Sequence, residues 1–332
     1  MSATRTDAKG DAAMASTARR MFGVLVTFRR PVLLAGVLER LHEQDRRLDR
    51  LIVVDNDPSA ESEEVVRRGG GDAFPIEYLP MAENLGSAGG VAAGMTRVLE
   101  LAEDDDWILL LDDDDPPPTS TIVGELERFG AAMSERDVRT GGVGLAGARF
   151  DWRRGRLRRV PDRELDGPVA LDYLPMGHVA LYRVRAVREA GPYLAPLFYA
   201  SDIEYGLRLR RAGYSLYAPG EMLLERRGET GRLGLERIRP SRRLEAPGWR
   251  RYYSLRNSIY VLRSYGHSGV ALRVTLSAGL AKPLANLLVS PRVALAHLAL
   301  NLKACWHGWS GRMGRVVEPD ARSRDDAKSR QR

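Results

Sequence analysis

One cysteine is all the chain carries. Cys305, alone among 332 residues, excludes an internal disulfide and any zinc site built from several thiolates, and it fits a reducing compartment. Long apolar runs are missing as well. Nowhere do roughly 18 uncharged apolar residues follow one another, the least that a membrane-spanning helix needs. The longest candidate region, 270–306, is broken by Arg273, Lys282, Pro283, Pro291 and Arg292. Residues 1–20 lack the apolar core of a secretory signal and read as a disordered leader. No internal repeat is visible. Histidine is scarce. His42, His267, His297 and His307 fall in helical stretches as structural residues, and His178 falls in an expected strand, in a core or supporting role. Acidic residues are the minority charge: 51 Lys and Arg face 44 Asp and Glu, a formal balance of +7. That balance suits an anionic partner, whether a nucleotide diphosphate, a nucleic acid or an anionic membrane surface.

What is present is globular in composition, 44% apolar and 29% charged. The length allows one large α/β domain with an appendage, or two modest domains. One stretch organises the rest. Trp107-Ile108-Leu109-Leu110-Leu111 empties into Asp112-Asp113-Asp114-Asp115 and then Pro116-Pro117-Pro118. The apolar run is too short for a helix and predicts a strand buried on both faces. The prolines end the sheet and leave four carboxylates at the strand's C-terminal edge, where open α/β sheets bind ligands. On an extended backbone Asp112 and Asp114 share one side. Their mutual repulsion asks for compensation, and a hard divalent cation supplies it. A solvated acidic loop is the plainer alternative.

Around that strand the pattern alternates. Strands are predicted at 22–28, 51–54 and 76–79, with helices over about 32–44, 61–68 and 91–103, which argues for a parallel, doubly wound sheet. Farther on, a helix over 122–133, a strand over 144–150, a basic hairpin around Gly155, a strand over 178–182, a helix over 202–211 closed by Gly213, and a strand over 214–217 follow. Beyond residue 225 arginines crowd the sequence and acids thin out, helices are expected over 252–265 and within 270–306, and 316–332 reads as a disordered tail. The resulting organisation is a leader (1–20), a catalytic domain (21–225), a basic, mainly helical region (226–315) and a tail (316–332).

Several positions can carry chemistry. Thr27, Arg29 and Arg30 close the first strand, where a hydroxyl and guanidinium can hold a base or diphosphate; a capped helix start is the alternative. Asp55 ends the second strand and can accept a bond from a base or ribose, or form an Asx-turn. Asn84-Leu85-Gly86-Ser87-Ala88-Gly89-Gly90 puts glycines before a helix, letting backbone approach a phosphate, but it lacks the dinucleotide fingerprint and the P-loop lysine. Asp202 opens a helix after Phe198 and Tyr199 and can serve as general base. Against that, Ser201 and Glu204 have capping-box spacing, and Glu204 and Arg208 form an i,i+4 ion pair.

In this order the segments Val26–Pro31, Ile52–Asn56, Asn84–Gly90, Leu111–Asp114 and Ser201–Arg208 resemble family 2 glycosyltransferases of the GT-A fold, above all bacterial rhamnosyl- and galactofuranosyltransferases of cell-wall or surface polysaccharide synthesis. The likeness covers about residues 21–225 and includes Tyr252–Ser258. It implies a mostly parallel central sheet flanked by helices, with a C-terminal helical extension. It further implies inverting transfer from a nucleotide-diphosphate sugar, such as UDP-galactofuranose or dTDP-rhamnose, to a glycan or polyprenyl-linked hydroxyl. By the resemblance, Asp55, Thr27, Arg29 and Arg30 hold the nucleobase side, and Asn84 and Gly86 belong to the donor loop. Asp112 and Asp114 match the outer positions of the family's Asp-x-Asp motif, which binds ribose and, through Mg²⁺ or Mn²⁺, the diphosphate, with Asp113 sharing that work. Asp202 matches the base that deprotonates the acceptor. Relatives carry a histidine ligand in a Pro-Gly-x-x-x-x-His pattern; here Pro219-Gly220-Glu221-Met222-Leu223-Leu224 leads to Glu225, which takes its place as a metal ligand. The expected location is cytoplasmic, with no nucleic-acid partner; for 226–315 the two readings are peripheral contact at the inner face of the plasma membrane and a helical subdomain packed on the core or at an oligomer interface. Two competing readings are a carboxylate phosphotransferase, which Pro116 opposes, and an RNA-binding protein using the arginine-rich 226–256 stretch, which leaves the acidic strand end unexplained.

Overall fold

The computed structural model describes residues 19–70, 74–234, 248–285 and 291–319. The expected leader, apart from residues 19 and 20, lies outside the described residues, as do Arg237, Arg239, Arg242 and Arg243 of the arginine-rich stretch and most of the expected tail.

The organising run forms β4 (Trp107–Asp112), with five of its six residues buried. It lies in an eight-stranded sheet of order β3-β2-β1-β4-β9-β5-β10-β8. In chain order the elements are β1 (Met21–Thr27), α1 (Pro31–His42), β2 (Arg50–Asp55), α2 (Ala60–Gly69), β3 (Ile76–Pro80), α3 (Gly86–Leu99), β4, α4 (Ile122–Arg136) and β5 (Thr140–Gly144). Then come β6 (Arg149–Asp151), β7 (Arg156–Arg158), β8 (Pro168–Leu171), β9 (Ala180–Arg183), α5 (Val184–Ala190), α6 (Asp202–Arg211), β10 (Ser215–Pro219) and α7 (Gly220–Glu229). The first four strands run parallel, with Val26 paired to both Val54 and Asp112. Alternation along these strands divides the core between two faces. Val24, Val26, Ile52, Val54, Ile108 and Leu110 pack with α3, α5 and α6 on one side. Leu25, Leu51, Val53, Trp107, Leu109 and Leu111 pack with α1 and α4 on the other. Both faces are apolar because both are covered.

The sheet is mostly parallel but not wholly so. β9 runs antiparallel to both neighbours, pairing Ala180 with Leu110 and with Gly144. Its reversed direction brings the start of the strand to the edge where β4 ends. The strand expected over 144–150 is two pieces, β5 in the main sheet and β6, which forms the expected basic hairpin with β7 around Gly155. His178 lies in the turn before β9 rather than in a strand. β8 and α7 were not anticipated: the short β8 alternates exposed and buried residues, and the two glycines of α7 mask a helical pattern.

The glycines of α3 also read differently in three dimensions. The helix begins at Gly86, not at Val91. A Cβ on Gly90 would stand 2.6 Å from Val26 Cγ1, and one on Gly94 would stand 2.3 Å from Val24 Cγ1. These glycines let α3 lie close on the sheet.

The carboxyl-terminal helices are α8 (Gly248–Ser264), α9 (Ser268–Val274), a π-helical segment (Thr275–Ala281), α10 (Lys282–Ala285) and α11 (Pro291–Ser310). They form a third apolar cluster around Tyr252, Tyr253, Ile259 and Leu262. Val316 and Val317, at the head of the expected tail, join it, and their amides donate to Tyr253 Oη at 3.0 and 3.2 Å. Among the described residues no helix is long and apolar enough to cross a membrane.

Gly94→Ala measures how tightly α3 is seated. Helix propensity favours alanine by about 1 kcal/mol, while overpacking costs about 1–3 kcal/mol. With Val24 and Val54 both inside contact distance of the new methyl, overpacking wins. A net loss of up to about 2 kcal/mol is expected in denaturant unfolding; a gain would show that the helix has room to move.

Candidate active site

Asp112 is the last residue of β4, and the next three carboxylates follow it off the sheet. Asp112, Asp113 and Asp114 bring carboxylate oxygens within 4.8 Å of one another, the one such acidic group among the described residues. They do not face the same way. Asp113 turns inward, buried, and takes bonds from Thr27 Oγ1 at 2.8 Å and Arg30 Nη1 at 2.9 Å. Arg30 also reaches Asp114 at 2.9 Å. Asp112, Asp114 and Asp115 line a cleft of about 420 Å³. Thr27 and Arg30 therefore meet the acidic strand end directly, joining the ends of β1 and β4.

Burial and the neighbouring carboxylates of Asp113 and Asp114 push Asp112 up to about 7. An all-oxygen, mutually repelling donor set of this kind fits Mg²⁺ or Mn²⁺. Glu225 stands apart: it is exposed on α7 and outside the clustered group. Its neighbour Arg226 faces the cluster instead, 3.7 Å from Asp115.

The same cleft is walled by Asp202, with Tyr173, Met176, His178, Tyr193 and Tyr199. Asp202 is the first residue of α6, where the helix dipole favours a carboxylate. Tyr193 Oη donates to its Oδ1 at 3.0 Å. Burial raises Asp202 to about 6, only partly offset by the bonds from Tyr193 and the Met176 backbone. No capping box forms, because the Ser201 side chain makes no cap bond and Glu204 pairs with Arg208 at 2.9 Å. His178 Nδ1 lies 2.5 Å from Asp115 Oδ2, without the geometry of a hydrogen bond, so the turn before β9 adjoins the acidic loop.

The remaining expected positions shape the loops. Asp55 is fully buried: it accepts the Asp57 amide at 3.0 Å in an Asx-turn and Tyr78 Oη at 2.9 Å. Asn84 Oδ1 takes the Gly86 amide at 2.8 Å, Asn56 takes that of Leu85, and the Phe198 carbonyl takes that of Ala88. The first amides of α3 are thus largely engaged, and Ser87 is the residue of this loop that lines the cleft. Arg29 points to Asp57 on the surface.

Among the described residues, four non-glycine residues have left-handed backbone: Arg29, Val179, Phe198 and Ala200. Val179, Phe198 and Ala200 lie in loops bordering the cleft, and Arg29 lies in the loop after β1. Such conformations cost on the order of 1–3 kcal/mol each and persist only where the surroundings hold them. For Phe198 and Ala200 the holder is α8. Asn257 Nδ2 donates to the carbonyls of Leu197 at 3.1 Å and Tyr199 at 2.6 Å, and Arg256 Nη2 donates to Leu197 at 2.8 Å. Arg256 is fully buried, with the rings of Tyr252 and Tyr253 beside its guanidinium. The motif Tyr252–Ser258 was visible in the sequence, but nothing there paired it with residues 197–199. Tyr193 carried no signal at all, being a lone aromatic nine residues before its partner.

The family model for glycosyl transferase family 2 matches residues 24–190, half of the chain. The chain is a family 2 glycosyltransferase. Two curated relatives share part of it: galactofuranosyltransferase GlfT1 of Mycolicibacterium smegmatis is 47% identical over 81 residues, and that of Mycobacterium tuberculosis 44% over 92. These matches cover 24% and 26% of this chain, and 26% and 30% of the relatives' own length. A solved structure of mannosyltransferase PcManGT from Pyrobaculum calidifontis, in complex with GDP-Man and Mn²⁺, is similar over 89% of both chains at 15% identity, with a TM-score of 0.52. The likeness supports the fold, a GT-A architecture. Membership of the family sets aside the phosphotransferase and the non-enzymatic readings.

Asn257→Ala in this glycosyltransferase removes two bonds from the loop leading to Asp202. A stability loss of about 1–3 kcal/mol is expected, together with a fall in turnover larger than any change in donor affinity. Thermal unfolding and steady-state kinetics check both. Unchanged turnover would show that the loop before α6 does not depend on this clamp.

Proposed function

We propose that this glycosyltransferase moves a sugar, with inversion at the anomeric carbon, from a nucleotide-diphosphate donor such as UDP-galactofuranose or dTDP-rhamnose to a hydroxyl of a glycan or polyprenyl-linked acceptor. One observation carries the reading: Asp112, Asp114 and Asp202 line a single cleft. The partial identity to two galactofuranosyltransferases supports the galactofuranosyl choice.

Asp202 supplies the base. Its carboxylate accepts the proton of the acceptor hydroxyl as that oxygen bonds to the anomeric carbon, and the bond from that carbon to the diphosphate breaks on the opposite face. The nucleoside diphosphate leaves with the electron pair. Tyr193 keeps the Asp202 carboxylate ionised and aimed. Asp112 and Asp114 are the residues placed to hold Mg²⁺ or Mn²⁺, and Glu225 a third whose use requires α7 to bring it nearer. When bound, the cation supplies positive charge against the departing diphosphate. Asp113 works through structure, since its oxygens are engaged by Thr27 and Arg30. The nucleobase side is formed by the loops that Asp55, Thr27, Arg29 and Arg30 fold, with Asn84 and Gly86 setting the entry of α3. The protein acts in the cytoplasm, at the inner face of the plasma membrane, where a polyprenyl-linked acceptor is presented.

Asp202→Asn should keep donor binding and lower turnover by roughly 10²–10⁴; unchanged turnover would remove Asp202 from the chemistry. A base must be deprotonated to act, and Asp202 is raised to about 6. Turnover should therefore be full above that pH and fall as pH drops through it, a limb that Tyr193→Phe moves upward because a bond favouring the carboxylate is lost. Asp114→Ala should weaken metal-dependent donor binding, measured by thermal shift with Mn²⁺ and nucleotide sugar. Full activity of the wild-type enzyme in EDTA would refute the metal assignment.

A further inference from the structure

The carboxyl-terminal helices carry a face that the cleft does not use. From Gly248 to Val317 the sequence holds ten arginines and lysines and not one aspartate or glutamate. On α11, Leu295, Ala299, Leu302 and Trp306 recur at i, i+4, i+7 and i+11, which places them on one stripe of a helix, and all four are exposed. Trp306 is 68% exposed, Leu295 56% and Leu302 49%. Arg292 and Lys303 stand beside the stripe, also exposed. The opposite side of α11, including Ala294, Ala304 and Gly308, is buried, and Gly308 packs on Ile259 of α8. On α9 and the π-helical segment, Leu272, Arg273 and Leu276 repeat the combination. Of the ten large apolar side chains exposed among the described residues, seven fall between 272 and 306.

Exposed apolar surface gathered in this way marks a contact site. Its charge selects the occupant. A nucleic acid would meet the arginines but leave the leucines and Trp306 in water. A second copy of this chain would cover the leucines but set like charge against like. An anionic bilayer surface satisfies both, with apolar side chains at the headgroup boundary and basic groups on lipid phosphates.

We propose that the outer face of α9–α11 docks on an anionic lipid surface, with Leu295, Leu302 and Trp306 entering the headgroup layer and Arg292 and Lys303 meeting its phosphates. In assigning this face a role in acceptor delivery, the proposal rests on the transferase reading. α8, on which α11 packs, holds the loop that ends at Asp202 through Arg256 and Asn257. Docking therefore fixes the acceptor side of the cleft relative to the bilayer.

The test is flotation of the full chain with phosphatidylglycerol-containing vesicles and with pure phosphatidylcholine vesicles, for wild type, Leu302→Gln/Trp306→Gln and Arg292→Gln/Lys303→Gln. Thermal unfolding of each protein is followed with and without nucleotide sugar and Mn²⁺. Wild type is expected to float with the anionic vesicles, less so at high salt, with a blue shift of tryptophan emission. Each double variant should partition at least about tenfold less while unfolding at the wild-type temperature. No flotation of wild type, equal flotation with both vesicle types, or unchanged flotation of Leu302→Gln/Trp306→Gln would overturn the proposal. So would a wild-type dimer that this variant abolishes in the absence of lipid. The nucleotide-sugar shift reads the catalytic proposal separately: its absence beside intact flotation sinks the donor assignment and leaves the lipid face standing.

Discussion

Asp113 is a carboxylate almost wholly removed from water, and the site is arranged around keeping it satisfied. A buried charge stripped of its partner destabilises a protein by about 3–5 kcal/mol. Here the partners are Thr27, the last residue of β1, and Arg30, in the loop after it. Their bonds tie the ends of two adjacent parallel strands. The strand ends at Asp112, and in the turn that follows Asp113 faces inward while Asp114 and Asp115 join Asp112 in lining the cleft.

The Asp202 side of the cleft is held by a different device. The loop before α6 contains two non-glycine residues in left-handed conformation, and its carbonyls are gripped by Arg256 and Asn257 of a helix more than fifty residues away in sequence. Arg256 donates to carbonyl and amide oxygens and has the Tyr252 and Tyr253 side chains beside it, so its charge is met by dipoles and rings. The helical region is therefore part of the site's architecture as well as its neighbour.

Much of this was legible in the order of residues. The apolar run of β4 and its abrupt acids located the strand end that lines the cleft, because a doubly covered strand leaves an uninterrupted apolar signature. The period-two rule paired Asp112 with Asp114. Local signals failed where the fold is set by distant contacts. The glycines of α3 looked like a phosphate approach, yet Gly90 and Gly94 answer to Val24 and Val26 across the layer. The reversal at β9 was invisible, since a buried strand reads alike in either direction. Asp55 read either as a ligand group or as an Asx-turn, and the Asx-turn forms, with Tyr78 Oη as a further partner. Tyr193 and the Arg256–Asn257 grip could not be found, for their partners are named only by tertiary structure.

The antiparallel β9 gives the cleft a lining of two opposite constructions. Asp112, Asp114 and Asp115 come at and after the end of β4, so their part of the lining is what a strand delivers. Met176, Gly177 and His178 come before the start of β9, so their part is what feeds a strand. β9 is held to β4 and β5 by ladder pairing, which the side chains of that turn do not supply. The lining of the turn is therefore set by its side chains and its position by the sheet.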